Sequence, residues 1–245
     1  MEINSPTNER IKNWAKLQQK KYRDQSGQFL IEGEHLIGEA LQAGVVEHLL
    51  MEAGRINPFA SQCEAIVCSE IVMRKLSTNV SGAWLIAVCS QKSVPAQSGL
   101  RTVVLDGVQD PGNVGTIIRT AVAFGFDQVL LSPDCADVYN EKCVRSTQGA
   151  LFHIAIQRTE LLGALSALKE EGVMVIGTAL HKAQPLAQLA VVEKVAIVLG
   201  NEGQGVRPET LEICDQRALI EMFSFESLNV AVAAGICLYR YRRKA

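Results

Sequence analysis

At 245 residues, with 48% of them hydrophobic and 20% charged, the chain is long enough for one large domain or two modest ones, and its composition excludes disorder and collagen-like repeats. A formal net charge of -2 excludes a uniformly basic nucleic-acid binder, so any phosphate-binding surface has to be built from local clusters. The 7 cysteines include no CxxC pair and no partner histidine at metal spacing, no apolar run has membrane-spanning length, and the opening MEINSPTNERIKNWAK lacks a secretory core; reduced thiols, no metal and a cytoplasmic location are expected.

Residues 9–26 read as a polar helix carrying Arg10, Lys12, Lys16, Lys20, Lys21 and Arg23, a charge cluster that suits either a solvated face or RNA contact. Residues 29–31 read as a strand, 35–43 as a helix stopped by Gly44, and 45–50, 65–67 and 87–89 as further strands. The first part of the chain, 1–92, is therefore expected to be a small α/β domain. Residues 93–100, within a polar stretch carrying Pro95 and Gly99 and no period, are expected to be a linker.

The rest, 101–245, carries apolar runs suited to buried parallel strands at 102–105, 128–131, 173–176 and 195–199. Helical patterns fall between and after them, at 113–124, 141–149, 160–171 and 227–241. That alternation predicts an α/β fold, a parallel sheet with helices on both faces. A second basic cluster closes the chain at Arg240, Arg242, Arg243 and Lys244.

Two glycine-rich turns follow predicted strands, where open α/β sheets bind their ligands. The first is Asp106-Gly107-Val108-Gln109-Asp110-Pro111-Gly112-Asn113-Val114-Gly115, and the second is Gly200-Asn201-Glu202-Gly203-Gln204-Gly205. Neither the dinucleotide fingerprint nor the Lys-Ser/Thr pair of a phosphate loop is present in the second, since Val206-Arg207 follows it, which argues against an NAD enzyme or a nucleotide triphosphatase. Spacing alone leaves open whether these glycines serve a ligand or only tight chain reversal.

Three segments in order, 113–125, 197–205 and 220–236, resemble the three motifs of the SpoU (TrmH) family of RNA ribose methyltransferases within the SPOUT superfamily. They read NVGTIIRTAVAFG, IVLGNEGQG, and IEM followed by SLNVAVAAGI. The first half, with its basic helix and Gln28-Phe29-Leu30-Ile31-Glu32-Gly33, resembles the L30e-like substrate-binding module that family members carry. Departures lie in the third motif, where Glu221 stands in place of the usual proline, Ser224 in place of a glycine, and the loop to Ser227 is about one residue shorter.

The resemblance implies S-adenosylmethionine as cofactor, structured RNA as partner with ribosomal RNA favoured over transfer RNA, a carboxyl-terminal trefoil knot and a homodimer. It assigns Thr178, Leu199, Gly200, Asn201, Gly205, Ile220, Met222, Leu228 and Asn229 to cofactor binding, and Asn113, Arg119, Glu202, Ser227 and Asn229 to catalysis. A guanidinium keeps its proton at neutral pH, so Arg119 suits a phosphate clamp or polarisation of the hydroxyl better than a general base, and both kinds of role stay open. Asn113 and Ser227 also suit helix capping, Glu202 could orient Arg119 or the substrate, and the apolar side of the last helix, with Val230, Val232, Ala233, Ile236 and Leu238, suits the core or a dimer interface. Two further readings share these residues: the same reaction on transfer RNA, and a member of the fold that binds RNA without catalysis.

Overall fold

A computed structural model of the chain describes residues 1–79, 82–92, 94–95, 101–223 and 227–244, arranged as two compact units. The first unit comprises Met1–Lys92 together with Tyr139–Phe152, and the second comprises residues 93–138 and 153–245.

The first unit is a five-stranded sheet in the order β1 (Glu2–Ile3), β4 (Ala65–Cys68), β3 (Val46–Glu52), β5 (Leu85–Ser90), β2 (Gln28–Glu32). The β1, β4 and β3 strands run parallel, and β5 is antiparallel to both β3 and β2. Residues 9–26 form two helices rather than one, α1 (Glu9–Lys16) and α2 (Lys20–Ser26). Ile11, Trp14 and Leu17 face the core at helical spacing, and the break follows because Arg23 folds back, buried, to donate its Nη1 to the Leu17 carbonyl at 2.8 Å. Arg23 is thus a structural residue and leaves the expected basic face, on which Lys12 and Lys20 are also paired, with Glu9 and Asp24. Helices α3 (Glu34–Gln42) and α4 (Glu70–Leu76) complete the amino-terminal part.

The helix at Glu141–Thr147, α6, lies far along the sequence yet belongs to this first unit rather than to the second half in which its position had put it. The Tyr139 and Phe152 rings lie 4.7 and 6.5 Å from that of Phe29, and Arg145 donates to Asn79 at 2.7 Å. Local periodicity carries no information about such pairings. Of the expected linker, residues 93 and 96–100 lie outside the described residues.

The second unit is a seven-stranded, wholly parallel sheet in the order β10 (Gln184–Pro185), β12 (Gln216–Leu219), β9 (Met174–Thr178), β11 (Val195–Gly200), β6 (Arg101–Asp106), β7 (Gln128–Leu131), β8 (Ala155–Arg158). Every residue of β11 is buried, as a central strand covered on both faces requires. Val104, Leu130, Val175, Ala196 and Val198 pack with Leu161, Leu165 and Leu168 of α7 (Leu161–Glu170) and with Leu211 of α8 (Pro208–Ile213). Alternate strand residues face the other side, where α5 (Pro111–Ala123) and α9 (Val230–Arg240) pack on each other.

Strands β6, β7 and β8 progress toward one edge, whereas β9 starts on the opposite side and β11 inserts between β9 and β6. The carboxyl ends of β9, β11 and β6 therefore lie where strand order reverses, the position at which open parallel sheets take ligands.

Candidate active site at the carboxyl edge of the parallel sheet

Register fixes which residues share this edge. Gly200 pairs with Asp106 and Leu199 with Leu105 between β11 and β6, and Thr178 pairs with Ala218 between β9 and β12. The Thr178 hydroxyl donates to the Val198 carbonyl at 3.1 Å, and Ile220 and Met222 follow the end of β12 half-buried. Thr178, Leu199, Gly200 and Ile220 therefore lie along three neighbouring strand ends, as expected of one site. Leu228 is 38% exposed beyond them. Of the altered third motif, Glu221 is exposed and Ser224 lies outside the described residues.

The turn after β11 is closed on itself. Asn201 and Gly205 exchange backbone hydrogen bonds at 3.0 and 2.9 Å, and Asn201 Oδ1 accepts from the N–H groups of Gly203 and Gln204 at 2.9 and 3.1 Å. Asn201 Nδ2 also donates to the Gly107 carbonyl at 2.8 Å, tying the two glycine turns together.

The amino terminus of α5 differs from the sequence expectation. Asp110, not Asn113, is the cap: its Oδ1 accepts from the Asn113 N–H at 2.9 Å, and Pro111 occupies the first helical position. An Asp-Pro-Gly run is a helix-start signature, so the signal was there to be read. Relieved of capping, Asn113 turns its side chain to two partners. Its Nδ2 donates to Glu202 Oε1 at 3.0 Å, and its Oδ1 accepts from Asn229 Nδ2 at 3.1 Å. Asn229 is in turn the cap of α9, accepting from Ala231 and Val232 at 2.9 and 3.3 Å, so that helix starts at Val230 and Ser227 lies exposed before it.

The direction of this chain is set at both ends. A carboxylate only accepts, so Asn113 must turn its amide nitrogen to Glu202 and its oxygen to Asn229, while the α9 N–H groups hold the Asn229 oxygen. One N–H on each carboxamide is left without a bond among the described residues. Glu202 also accepts from the backbone N–H groups of Asp110 and Gln109 at 3.1 and 3.2 Å. Burial pushes its carboxyl up, but the hydrogen bonds from Asn113, Asp110 and Gln109 outweigh that and hold it below the ordinary glutamate value.

Arg119 stands six residues beyond Asn113 on α5, about 9 Å along the axis by helical rise. It is exposed and makes no hydrogen bond or ion pair with any described residue. Glu202 thus orients Asn113 and the 109–110 turn and does not engage Arg119. Arg207, which sequence reasoning passed over, donates to the buried Asp106 carboxylate through its backbone N–H at 3.0 Å and its Nε at 2.6 Å.

A parallel α/β sheet with two glycine turns and a directed amide chain at its carboxyl edge, and with no dinucleotide or phosphate-loop fingerprint, marks that edge as a candidate group-transfer site. The comparisons with known proteins name it: residues 101–239 match the SpoU rRNA Methylase family and residues 8–87 match the MRM3-like substrate binding domain, so the chain belongs to the SpoU family. It is 39% identical over 98% of its length to the Bacillus subtilis 23S rRNA (guanosine(2553)-2'-O)-methyltransferase RlmP, 99% of which is covered. An AdoMet-bound rRNA methyltransferase from Sinorhizobium meliloti superposes with a TM-score of 0.88 at 29% identity, covering 98% of this chain and 97% of that one. AviRb from Streptomyces viridochromogenes, a SpoU methyltransferase in complex with AdoMet, gives a TM-score of 0.85 at 26% identity, with 96% and 97% covered. The family expected from the three motifs, and the methyltransferase reading that came with it, hold.

Proposed function

We propose that the chain transfers a methyl group from S-adenosylmethionine to a ribose 2'-hydroxyl of ribosomal RNA. The observation that carries this reading is the chain Asn229 to Asn113 to Glu202, which joins residues of all three motifs beside the strand ends bearing Thr178, Leu199 and Gly200. The edge also fits the cofactor chemically. Ile220, Met222 and Leu228 offer incompletely buried apolar surface for an adenine face, and the turn from Gly200 to Gly205, one strand removed from the end of β12, offers backbone groups.

When bound, S-adenosylmethionine supplies a methyl group on a positively charged sulfur, already a good leaving group. The protein's share is alignment, which in favourable cases lowers a barrier by on the order of 7 kcal/mol. The free N–H groups of Asn113 and Asn229 are aimed by their partners and can hold a ribose oxygen. Arg119, with five donors and no described partner, can clamp the adjoining phosphate or polarise the hydroxyl. Glu202 stays ionised and has its oxygens occupied by three hydrogen bonds, so its role is to hold Asn113 rather than to take the substrate proton. Ser227, exposed before the α9 cap, is a second hydroxyl within this loop to meet the substrate.

The first unit is the RNA-binding module, and with Arg23 buried its basic footprint is narrower than the sequence count. The insertion of β11 between β9 and β6 supports the expected trefoil knot. On α9, Val230 and Leu238 turn to the core while Val232, Ile236 and Tyr239 are exposed at spacings of four and three, continuing from Leu228; this stripe suits pairing with a second copy. Among the described residues no helix is long and apolar enough to cross a membrane. Purified protein, labelled S-adenosylmethionine and RNA from a strain lacking the gene test the reading: label entering ribosomal RNA supports it, and label confined to transfer RNA, or absent despite cofactor binding, overturns it.

A further inference from the structure

The closed turn after β11 needs something to keep it shut. A Cβ on Gly200 would lie 2.0 Å from the Gly205 carbonyl carbon and 2.0 Å from the Val206 nitrogen, so the returning chain lies directly on the strand end. These are backbone atoms, and no side-chain rearrangement can relieve such a contact. The bonds between Asn201 and Gly205 close the turn from within, but they do not attach it to the sheet.

Asn201 and Glu202 tie the turn to the residues that follow β6, and the attachment to the strand itself comes from Arg207, two residues past Gly205. Arg207 reaches β6, where Asp106 sits in register with Gly200. The Asp106 side chain is 0% exposed, and it takes the Arg207 backbone N–H on Oδ2 at 3.0 Å and Nε on Oδ1 at 2.6 Å, with Nη2 on that same oxygen. A second carboxylate, Asp134, stands 3.6 Å from Nη2. The hydrogen bond it donates to Asp106 holds the Arg207 guanidinium above its ordinary pKa. Pro208 follows and keeps Arg207 extended, so the turn ends abruptly at this clamp before α8 begins.

With the Arg207 side chain 40% exposed, the pair adds little stability by its charges alone. What it provides is position, because one carboxylate fixes both the main chain and the side chain of Arg207. We propose that Asp106 and Arg207 form a latch that sets cofactor affinity by holding the turn from Gly200 to Gly205 closed against β6. The proposal rests on the reading of that turn as part of the cofactor site. Both are positioning residues, since neither touches the reacting atoms.

Asp106→Asn and Arg207→Met test it, with Arg207→Lys as the milder variant should either fail to fold. Calorimetry gives the affinity for S-adenosylmethionine, saturating kinetics give kcat, and hydrogen exchange follows amides 200–205. Loss of a charge-assisted bond predicts affinity weaker by about tenfold or more in Asp106→Asn and Arg207→Met. The account also expects kcat within about threefold of wild type at saturating cofactor, faster exchange at 200–205, and an intermediate affinity for Arg207→Lys, whose ammonium cannot reproduce the paired donors. Affinity within twofold of wild type in the folded variants would overturn the latch, as would an equal loss of kcat with affinity unchanged. The site reading is tested separately in the wild-type protein: cofactor that binds without slowing exchange at 200–205 removes the turn from the site, and the latch falls with it.

Discussion

Replacing Glu202 by Gln removes one charge and almost no volume. Glu202 Oε1 takes the Asp110 N–H at 3.1 Å and Asn113 Nδ2 at 3.0 Å, while Oε2 takes the Gln109 N–H at 3.2 Å. A glutamine can keep its oxygen at the first position, which sets its amide nitrogen against the Gln109 N–H and loses that bond. The opposite rotamer loses two. Bonds to a charged acceptor contribute about 1.5–3 kcal/mol in protected settings, but Glu202 is largely solvated, and after discounting for screening the loss is about 1 kcal/mol. In a protein of this size that lowers Tm by roughly 2–4 °C. The larger effect falls on rate, because Asn113 loses its fixed direction and small misplacements of aligned groups cost up to about a hundredfold. Glu202→Gln is therefore expected to lower kcat about tenfold to a hundredfold with cofactor affinity within about threefold, read by single-turnover methyl transfer and calorimetry. Wild-type kcat with intact cofactor binding would refute the role given to Glu202. The pH dependence follows from the lowered carboxyl. A depressed folded-state pKa contributes stability that is fully present above the ordinary glutamate value and lost as pH falls through the depressed one. The stability gap between wild type and Glu202→Gln should be flat from neutral pH down to about 4.5 and shrink below it. A gap that grows on acidification would show the sign to be wrong.

Gly200→Ala sets a Cβ into the backbone of Gly205 and Val206 and should weaken cofactor affinity by at least about tenfold, because the turn must open; unchanged affinity by calorimetry would contradict the tight return. Arg23→Ala is expected to cost about 1–3 kcal/mol in a urea melt, through the stranded Leu17 carbonyl, without changing the salt slope of RNA binding; a reduced slope with full stability would return Arg23 to the RNA face. The proposed pairing through α9 predicts that wild type scatters light as a dimer and Ile236→Asp as a monomer with the far-UV spectrum retained, and an oligomeric state indifferent to the substitution would remove the α9 stripe as the contact.

Much of the catalytic sheet was legible because β6, β7, β9 and β11 are near-continuous apolar runs, the pattern of strands buried on both faces. Strand β12, Gln216-Arg217-Ala218-Leu219, is too polar and short to announce itself, and β8 ends in Gln157-Arg158 on an edge of the sheet. Helix α6 was visible as a helix while its allegiance to the first unit was not, since that depends on Phe29 and Asn79, residues far earlier in the chain. The site shows the same division. Motif order brought out Asn113, Glu202 and Asn229, but the bond between Asn113 and Glu202 spans 89 residues and nothing local encodes it. The Asp110 cap was local and readable, whereas the pairing of Asp106 with Arg207, across 101 residues, required the parallel register of β6 and β11.

The most direct test of the central claim is the chemistry of the methylated RNA. RNA labelled by the purified protein from S-adenosylmethionine, then hydrolysed in alkali, is predicted to yield a single resistant dinucleotide carrying the label, because a methylated 2'-oxygen cannot attack its phosphate, and Arg119→Ala should yield none while still binding cofactor. Label recovered wholly in mononucleotides would show the methyl group on a base and contradict the account.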